Sequence, residues 1–417
     1  MALICLPCEI QHRELDAKLL LAVRLCSSYG HHCLIGYDKY FNEVISELGP
    51  VVLLDKSMSS IMLEARIKKV KKNNGYVAVS DEEGINDLAE TPLSFITRLN
   101  SQEWDSIDVY CCWGKFDYNF FVKHCSAPSE KLVNIGNCRS DLLNGVGKSF
   151  YRNTALSINN IFGKFILVSD NFSVDHLHKN YCPPRFDNVD SSQFAARMQE
   201  WDWQLKTHQI RRDKLSQLID EILAAGKINI LIRPHPVYDS LYWHQKYRKK
   251  DSVVVLMKHN ADPWIHASNG VLSSGCTVGL QAVYAGKKSF HYDGDEANPS
   301  KSITKYLAIN IKDSNELEEA LQSTRLENGA NQFFWNTSGS STERIAELLA
   351  SGADQLPKYP KQIKIRYLKS MVPLPPKWSR IELRSVIAKV EKWSSVVNAK
   401  CPSVAEASPG VYLLTPS

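Results

Sequence analysis

Short apolar runs alternate with helix-length segments along most of this 417-residue chain. That alternation narrows the fold sharply. Parallel strands need crossovers of a dozen or more residues, and helices supply them on both faces of the sheet. The first run, LICLPC over residues 3–8, reads as a buried strand. Residues 13–28 follow with apolar positions at Leu15, Leu19, Leu20, Ala22, Val23 and Leu25, a helical spacing. Tyr29-Gly30 closes that helix, Gly being a favoured C-terminal cap. Further strands are predicted at 31–36, 51–54, 76–80, 107–113 and 131–136, with a basic helix over 58–72. A second alternating series starts at 165–168. It holds a mostly helical stretch over 190–225 and strands at 228–232, 253–256, 270–272 and 289–292. Helices are predicted over 278–285 and 314–324.

The fold class read from this pattern is α/β, with two Rossmann-like domains facing a central cleft. The expected boundaries are 1–160 and 161–355. A Pro-rich linker and a C-terminal helix follow over 356–398, then a loose tail over 399–417. Ligands in such sheets bind at the carboxyl ends of the strands.

Composition excludes several classes. With 44% hydrophobic and 23% charged residues the chain has ample material for a core, so a largely disordered protein is ruled out. A net charge of +5 is too small to point to nucleic acid. The 11 Cys are scattered, odd in number and preceded by no secretory signal, so a reducing, cytoplasmic setting is expected. The apolar N-terminal stretch is too short, and lacks the basic flank, for a signal peptide. No apolar run reaches the roughly 18 residues of a membrane span. No zinc spacing and no metal-binding DxD stands at the strand ends.

Four segments at strand ends could carry chemistry. Asp81-Glu82-Glu83-Gly84 places adjacent acids on a tight turn, where a carboxylate could act as general base or simply be solvated. In Arg233-Pro234-His235-Pro236 two prolines restrict the backbone around His235, and Arg233 offers a fork to an anion. Ser273-Ser274-Gly275-Cys276-Thr277 leads into a helix, where hydroxyls and amides could hold an anion or merely cap it. Gln281 lies one turn beyond Thr277 and could reach a ribose hydroxyl. Glu9-Ile10-Gln11-His12-Arg13-Glu14 opens the first helix. Acids there are expected from the dipole, whereas Arg13 suggests a nearby anion.

Together these segments resemble the motif set of bacterial sialyltransferases and capsule Kdo transferases, GT-B glycosyltransferases that use CMP-activated ulosonic acids. The matching positions are Glu82-Glu83-Gly84, His235-Pro236 and Ser273-Ser274. The chain also resembles the bacterial surface carbohydrate biosynthesis proteins through LPCEIQHRELDAKLLLA, LLDKS, SDEEG, Trp113-Gly114, GNCRSDLL, RPHP and SSGCTVGLQAVYAGKK, between residues 7 and 288. The resemblance implies an acceptor-side first domain and a donor-binding second domain. It implies Glu82 or Glu83 as the acid/base group and His235 on the CMP phosphate. Ser273, Ser274, Gly275 and Thr277 would hold that phosphate, with Arg233 neutralising charge and Gln281 near the ribose. Glu9, Arg13, Glu14 and Arg139 would line the acceptor side. Two positions depart from the pattern: Gln281 stands where an acid is common, and Gly136-Asn137-Cys138-Arg139 replaces Gly-Asn-Pro-Arg.

The function expected on this basis is transfer of a ulosonic acid, most closely Kdo, from a CMP donor to a glycan or lipid-linked glycan acceptor of lipopolysaccharide O-antigen or capsule. No cofactor and no metal is called for. A CMP-sialic-like nonulosonic acid or a CDP-polyol donor are alternatives, and a non-catalytic sugar-nucleotide-binding scaffold is the reading from another class. RIKKVKK (66–72) and KYPKQIKIRYLK (358–369) would suit peripheral contact with an anionic inner membrane, or serve as ordinary surface lysines.

Overall fold

The computed structural model describes residues 1–84, 103–172, 191–234, 241–250, 252–256, 260–295, 297–323, 333, 341–358 and 381–417. They divide into two units. The first takes its described residues from 1–84, 103–151, 333, 341–358 and 381–417, the second from 152–323.

In the first unit six parallel strands follow the predicted runs: β1 (Leu3–Cys8), β2 (His32–Tyr37), β3 (Val52–Asp55), β4 (Tyr76–Val79), β5 (Val109–Cys112) and β6 (Leu132–Asn134). The sheet order is β13-β14-β2-β1-β3-β4-β5-β6, where β13 (Ser403–Ser408) and β14 (Val411–Thr415) form an antiparallel hairpin on the edge of β2. Alternation along β1 sorts its side chains. Ile4, Leu6 and Cys8 face a core with α1 (Gln11–Tyr29), while Leu3 and Cys5 face the other core with Phe41, Trp104 and Phe121. Two C-terminal helices, α8 (Ser341–Asp354) and α9 (Leu383–Val396), join the α1 side. Ile345, Ala346, Leu349 and Ala353 form the apolar stripe of α8, and Trp393 of α9 stacks on Phe150 at 3.7 Å between ring centres. Phe150 lies on α3 (Gly145–Phe162), and α2 (Lys115–His124) packs on the Phe121 side.

The second unit is a six-stranded, wholly parallel sheet. Its order is β12-β11-β10-β7-β8-β9, with β7 (Phe165–Ser169), β8 (Asn229–Arg233), β9 (Val253–Val255), β10 (Gly270–Ser273), β11 (Ser289–His291) and β12 (Ile309–Asn310). Its helices include α4 (Ser191–Ala225), α5 (Leu241–Tyr247), α6 (Thr277–Tyr284) and α7 (Ser314–Gln322). Leu215, Leu218 and Ile222 of α4 pack on Ile166, Val168, Ile230 and Ile232.

Three expectations are corrected. Residues 399–417 are no loose tail: Val411, Tyr412 and Leu414 are buried against β2. Residues 341–354, placed with the second domain by sequence, belong to the first unit because their apolar stripe is covered by α1. The basic segment 58–72 is helical but interrupted, with a π-helical turn over Leu63–Ile67. The linker stretch 359–380 lies outside the described residues.

Trp393 is fully buried, so Trp393→Ala removes its stacked contact and leaves a cavity. The expected cost is about 3–5 kcal/mol in the first unit, read from urea denaturation.

Candidate functional site

In the first unit the acidic turn directly follows β4. Gly84 adopts a left-handed φ of 65°, which favours glycine, and a Cβ there would stand 3.1 Å from the Trp113 ring and crowd it. The turn is held from three sides. The Asp81 carboxylate accepts from the Glu83 and Gly84 amides at 2.8 and 2.7 Å. The Asp81 carbonyl accepts from the Trp113 indole at 2.7 Å and from the Asn137 amide at 3.0 Å. The Arg139 guanidinium donates to the Glu82 carbonyl. Trp113-Gly114 and the GNCRSDLL segment therefore act as supports for the turn. Asp141 of that segment also accepts from the Thr342 amide at 2.7 Å, capping α8.

The two acids of the turn differ. The Glu83 side chain is 49% exposed and pairs with Arg13 at 3.1 Å. Glu82 is only 3% exposed. Its Oε1 lies 2.9 Å from the Nζ of Lys18, a residue in the middle of α1 that is itself 1% exposed. The two buried charges thus face each other at ion-pair distance, and the Arg139 guanidinium stands 4.0 Å from Oε2, which accepts no hydrogen bond among the described residues. Burial by itself would raise the Glu82 carboxyl. Lys18, then Arg139 and Arg13, outweigh it and hold the group below the ordinary carboxylate range. Glu14 goes the other way: burial raises it, and the attraction of Arg13 only partly offsets this.

Glu14 turns back on its own helix. It accepts from the Glu9 amide at 2.7 Å, the Ile10 amide at 3.3 Å and the Arg13 guanidinium at 2.7 Å. Glu9 pairs with Lys56 of LLDKS, joining the carboxyl ends of β1 and β3 where the strand order reverses. Glu9, Arg13, Glu14, Glu82, Glu83 and Arg139 are thus brought together at one end of the first sheet.

In the second unit the order reverses between β7 and β10, so the switch point falls where Ser273 and Ser274 leave β10. Gly275 has φ 83°, and a Cβ there would meet the Ser300 hydroxyl at 3.0 Å. Ser274 donates to the Asp293 carbonyl at 3.3 Å, and Ser302 donates to the Gly275 carbonyl at 3.1 Å. Thr277 begins α6, whose N-cap, Cys276, makes no side-chain capping bond. Gln281 is half-buried one turn on. Ser273 is placed less openly: its hydroxyl is fully buried, without a partner among the described residues, and lies 2.7 Å from where a Cβ on Gly279 would stand. Arg233 ends β8, buried at 7% exposure. His235 lies outside the described residues.

Sequence reasoning missed a hub after β11. The Asp293 carboxylate meets Lys305 at 2.7 Å, Arg211 at 3.5 Å, the buried His291 at 3.8 Å and the Ser300 amide at 2.8 Å. Burial raises this carboxyl, but His291, Lys305 and the Ser300 amide hold it far below the ordinary range. Its signal was a polar residue just past a strand, in HYDG. Lys18 was missed too, because its position within a leucine-rich helix gives no hint of a partner at residue 82. Among the described residues no group of three His, Cys, Asp or Glu could hold a metal ion, and no helix is long and apolar enough to cross a membrane.

No protein-family model matches the chain, and comparison with curated proteins finds no relative. Solved structures do resemble it. The UDP-GlcNAc 2-epimerase of Neisseria meningitidis bound to UDP-GlcNAc is 12% identical, with a TM-score of 0.54 over 84% of this chain and 99% of that one. The UDP-GlcNAc 2-epimerase of Methanocaldococcus jannaschii, in complex with UDP-GlcNAc and UDP, is 13% identical, with a TM-score of 0.52 over 84% and 100%. The H444N variant of the wall teichoic acid polymerase TagF is 12% identical, with a TM-score of 0.53 over 85% and 88%. At these identities the likeness establishes the fold: an α/β, GT-B-like fold of two Rossmann-like units.

Lys18→Met leaves Glu82 buried without its nearest counter-charge. The expected loss is about 3–5 kcal/mol, and the double variant Lys18→Met/Glu82→Gln regains a large part of it. A double-mutant cycle in urea measures both. In the second unit, burial and then the Arg211 charge push His208 from 6.5 down to about 4. In that window the unfolded chain binds a proton that the folded chain refuses. Stability is therefore complete above pH 6.5 and falls towards pH 4, by on the order of 3 kcal/mol. His208→Gln flattens this slope in denaturation curves taken at successive pH values.

Proposed function

We propose that the protein is a glycosyltransferase that takes a sugar from a nucleotide-activated donor. The donor we assign is a CMP-activated ulosonic acid, most closely Kdo, and the acceptor a hydroxyl of a surface glycan. The observation that carries this reading is Glu82. It is a buried, ionised carboxylate at a strand's carboxyl end, paired with Lys18 through Oε1, while its Oε2 accepts no hydrogen bond among the described residues. Such a group suits a ligand hydroxyl, which would supply the missing donor. The motif set of Glu82-Glu83-Gly84, His235-Pro236 and Ser273-Ser274 supports the choice of donor, and the GT-B-like fold is compatible with it.

The chemistry follows from the donor. The bond between the anomeric carbon and the CMP phosphate oxygen breaks, and the acceptor oxygen bonds to that carbon. The transition state is oxocarbenium-like, so the acceptor hydroxyl loses its proton late, and a weak base such as Glu82 suffices to take it. Negative charge grows on the leaving phosphate. In this reading the Ser274-Gly275 loop, the amides at the start of α6 and the Arg233 guanidinium stabilise it, with His235 as a further donor.

Thermal shift with CMP, CDP, UMP and UDP tests the donor. CMP alone is expected to raise the melting temperature, and His235→Ala to abolish the rise. A shift with CDP alone would favour a polyol-phosphate donor, and a shift with UDP alone would overturn the assignment. Glu82→Gln is expected to keep the CMP shift while losing about 100-fold or more in transfer from CMP-Kdo, read as CMP release.

A further inference from the structure

The amino ends of the second sheet carry a feature that the transfer reading does not use. Basic residues stand just before four of its six strands. Lys164 precedes β7, Lys227 precedes β8, Arg248 and Lys249 precede β9, and Lys287 and Lys288 precede β11. Because all six strands are parallel, these side chains gather along one edge of the sheet, opposite the edge that holds Ser274 and Asp293. A groove of about 700 Å³ opens there, lined by Lys164, Lys227, Lys287 and Lys288 over an apolar floor that includes Ile222 and Leu317.

The charge there is only partly used. Lys288 donates to the last carbonyls of α7, Lys287 donates to the Ser268 carbonyl at 3.0 Å, and Lys227 pairs with Glu318 at an exposed site. Lys164, Arg248 and Lys249 are exposed, and among the described residues they have no ion-pair partner. Beside Lys164, at the end of α3, Ile161 is 72% exposed. The basic helical run 66–72 offers a contrast. Arg66 is buried on Asp55 at 2.8 Å, Lys68 pairs with Glu64, Lys71 pairs with Asp108, and Lys69 donates to the Asn42 carbonyl. That run is committed to its own unit.

We propose that the amino-terminal edge of the second unit is a docking surface for an anionic lipid bilayer. The groove would receive a phosphate headgroup between its lysines, and Ile161 would reach the acyl boundary. Charge complementarity argues for this occupant: four lysines line a half-apolar hollow, Arg248 and Lys249 stand on the same edge, and an exposed aliphatic side chain lies beside it, which suits an interface that is anionic outside and apolar beneath.

The test is co-sedimentation of the full chain with vesicles of phosphatidylcholine alone or with about a third phosphatidylglycerol. Binding is expected only to the anionic vesicles and is expected to fall away in 0.5 M salt. Lys164→Glu/Lys249→Glu is expected to weaken binding by about fivefold or more for each charge changed. Lys115→Glu/Lys123→Glu, on exposed α2 positions of the first unit, is expected to leave it unchanged. Equal binding to neutral vesicles, or equal loss in the two double variants, would overturn the proposal. So would competition by millimolar glycerol phosphate as strong as that by anionic vesicles, which would make the groove a small-anion site. None of these readouts depends on catalytic turnover, so the transfer reading can fail while this one stands.

Discussion

The acidic turn of the first unit depends on a buried ion pair, Lys18 with Glu82. An ammonium placed mid-helix among Leu15, Leu19 and Leu21 is tolerated only if an anion meets it, because the desolvation cost of a lone buried charge is several kcal/mol. Glu82 is that anion, and it comes from a turn more than sixty residues away in sequence. The pair therefore fixes the β4 turn on α1, while Trp113, Asn137 and Arg139 fix the same turn from the other strands. Its electrostatic consequence is as important as its mechanical one. Lys18 keeps Glu82 ionised inside a site that would otherwise protonate it. A carboxylate held this way is a good hydrogen-bond acceptor and a modest base, a combination suited to a reaction whose nucleophile deprotonates late.

Much of this architecture is legible in the sequence. Strands β1 to β11 match the apolar runs to within a residue or two, since a strand buried on both faces is a continuous apolar run with polar residues only where it ends. The turn at 81–84 and the loop at 273–277 are visible for the same reason. Other parts depend on tertiary partners. Glu14 and Lys18 stand four apart, the spacing of a surface helix pair, yet Lys18 turns to residue 82 and Glu14 to the Glu9 and Ile10 amides just before its helix. The basic run 66–72 looks like a patch until Asp55 and Asp108 are found facing it. In the tail, Pro409-Gly410 between SVAEAS and VYLLT is a hairpin signal, but nothing local tells VYLLT that the edge of β2 is open to it.

The C-terminal return explains why the sequence boundaries fail. Residues 341–354 follow the second series in the chain, so alternation assigns them there. Their helix instead needs a cover for Ile345, Leu349 and Ala353, and α1 provides it. Asp141 completes the arrangement by capping the amino end of that helix across 200 residues of sequence. The GNCRSDLL segment thus serves two purposes, with Asn137 and Arg139 on the acidic turn and Asp141 on α8.

The second sheet shows how one parallel topology can present two chemically different edges. At its carboxyl edge the strands end in the polar residues Ser169, Arg233, Ser273 and His291, and the loops beyond them form a network around Asp293 with His291, Lys305, Arg211 and Ser274. Neutralised charges and oriented amides there favour a small, precisely held anion. At its amino edge the residues before the strands are long cations, of which Lys164, Arg248 and Lys249 are exposed and without an ion-pair partner among the described residues. Long flexible cations are poor at holding a single small ligand, because fixing each one costs rotamer entropy. They are well suited to a broad anionic surface, where several weak contacts act together and no one geometry is required. The strand direction alone decides which set of residues lies on which edge.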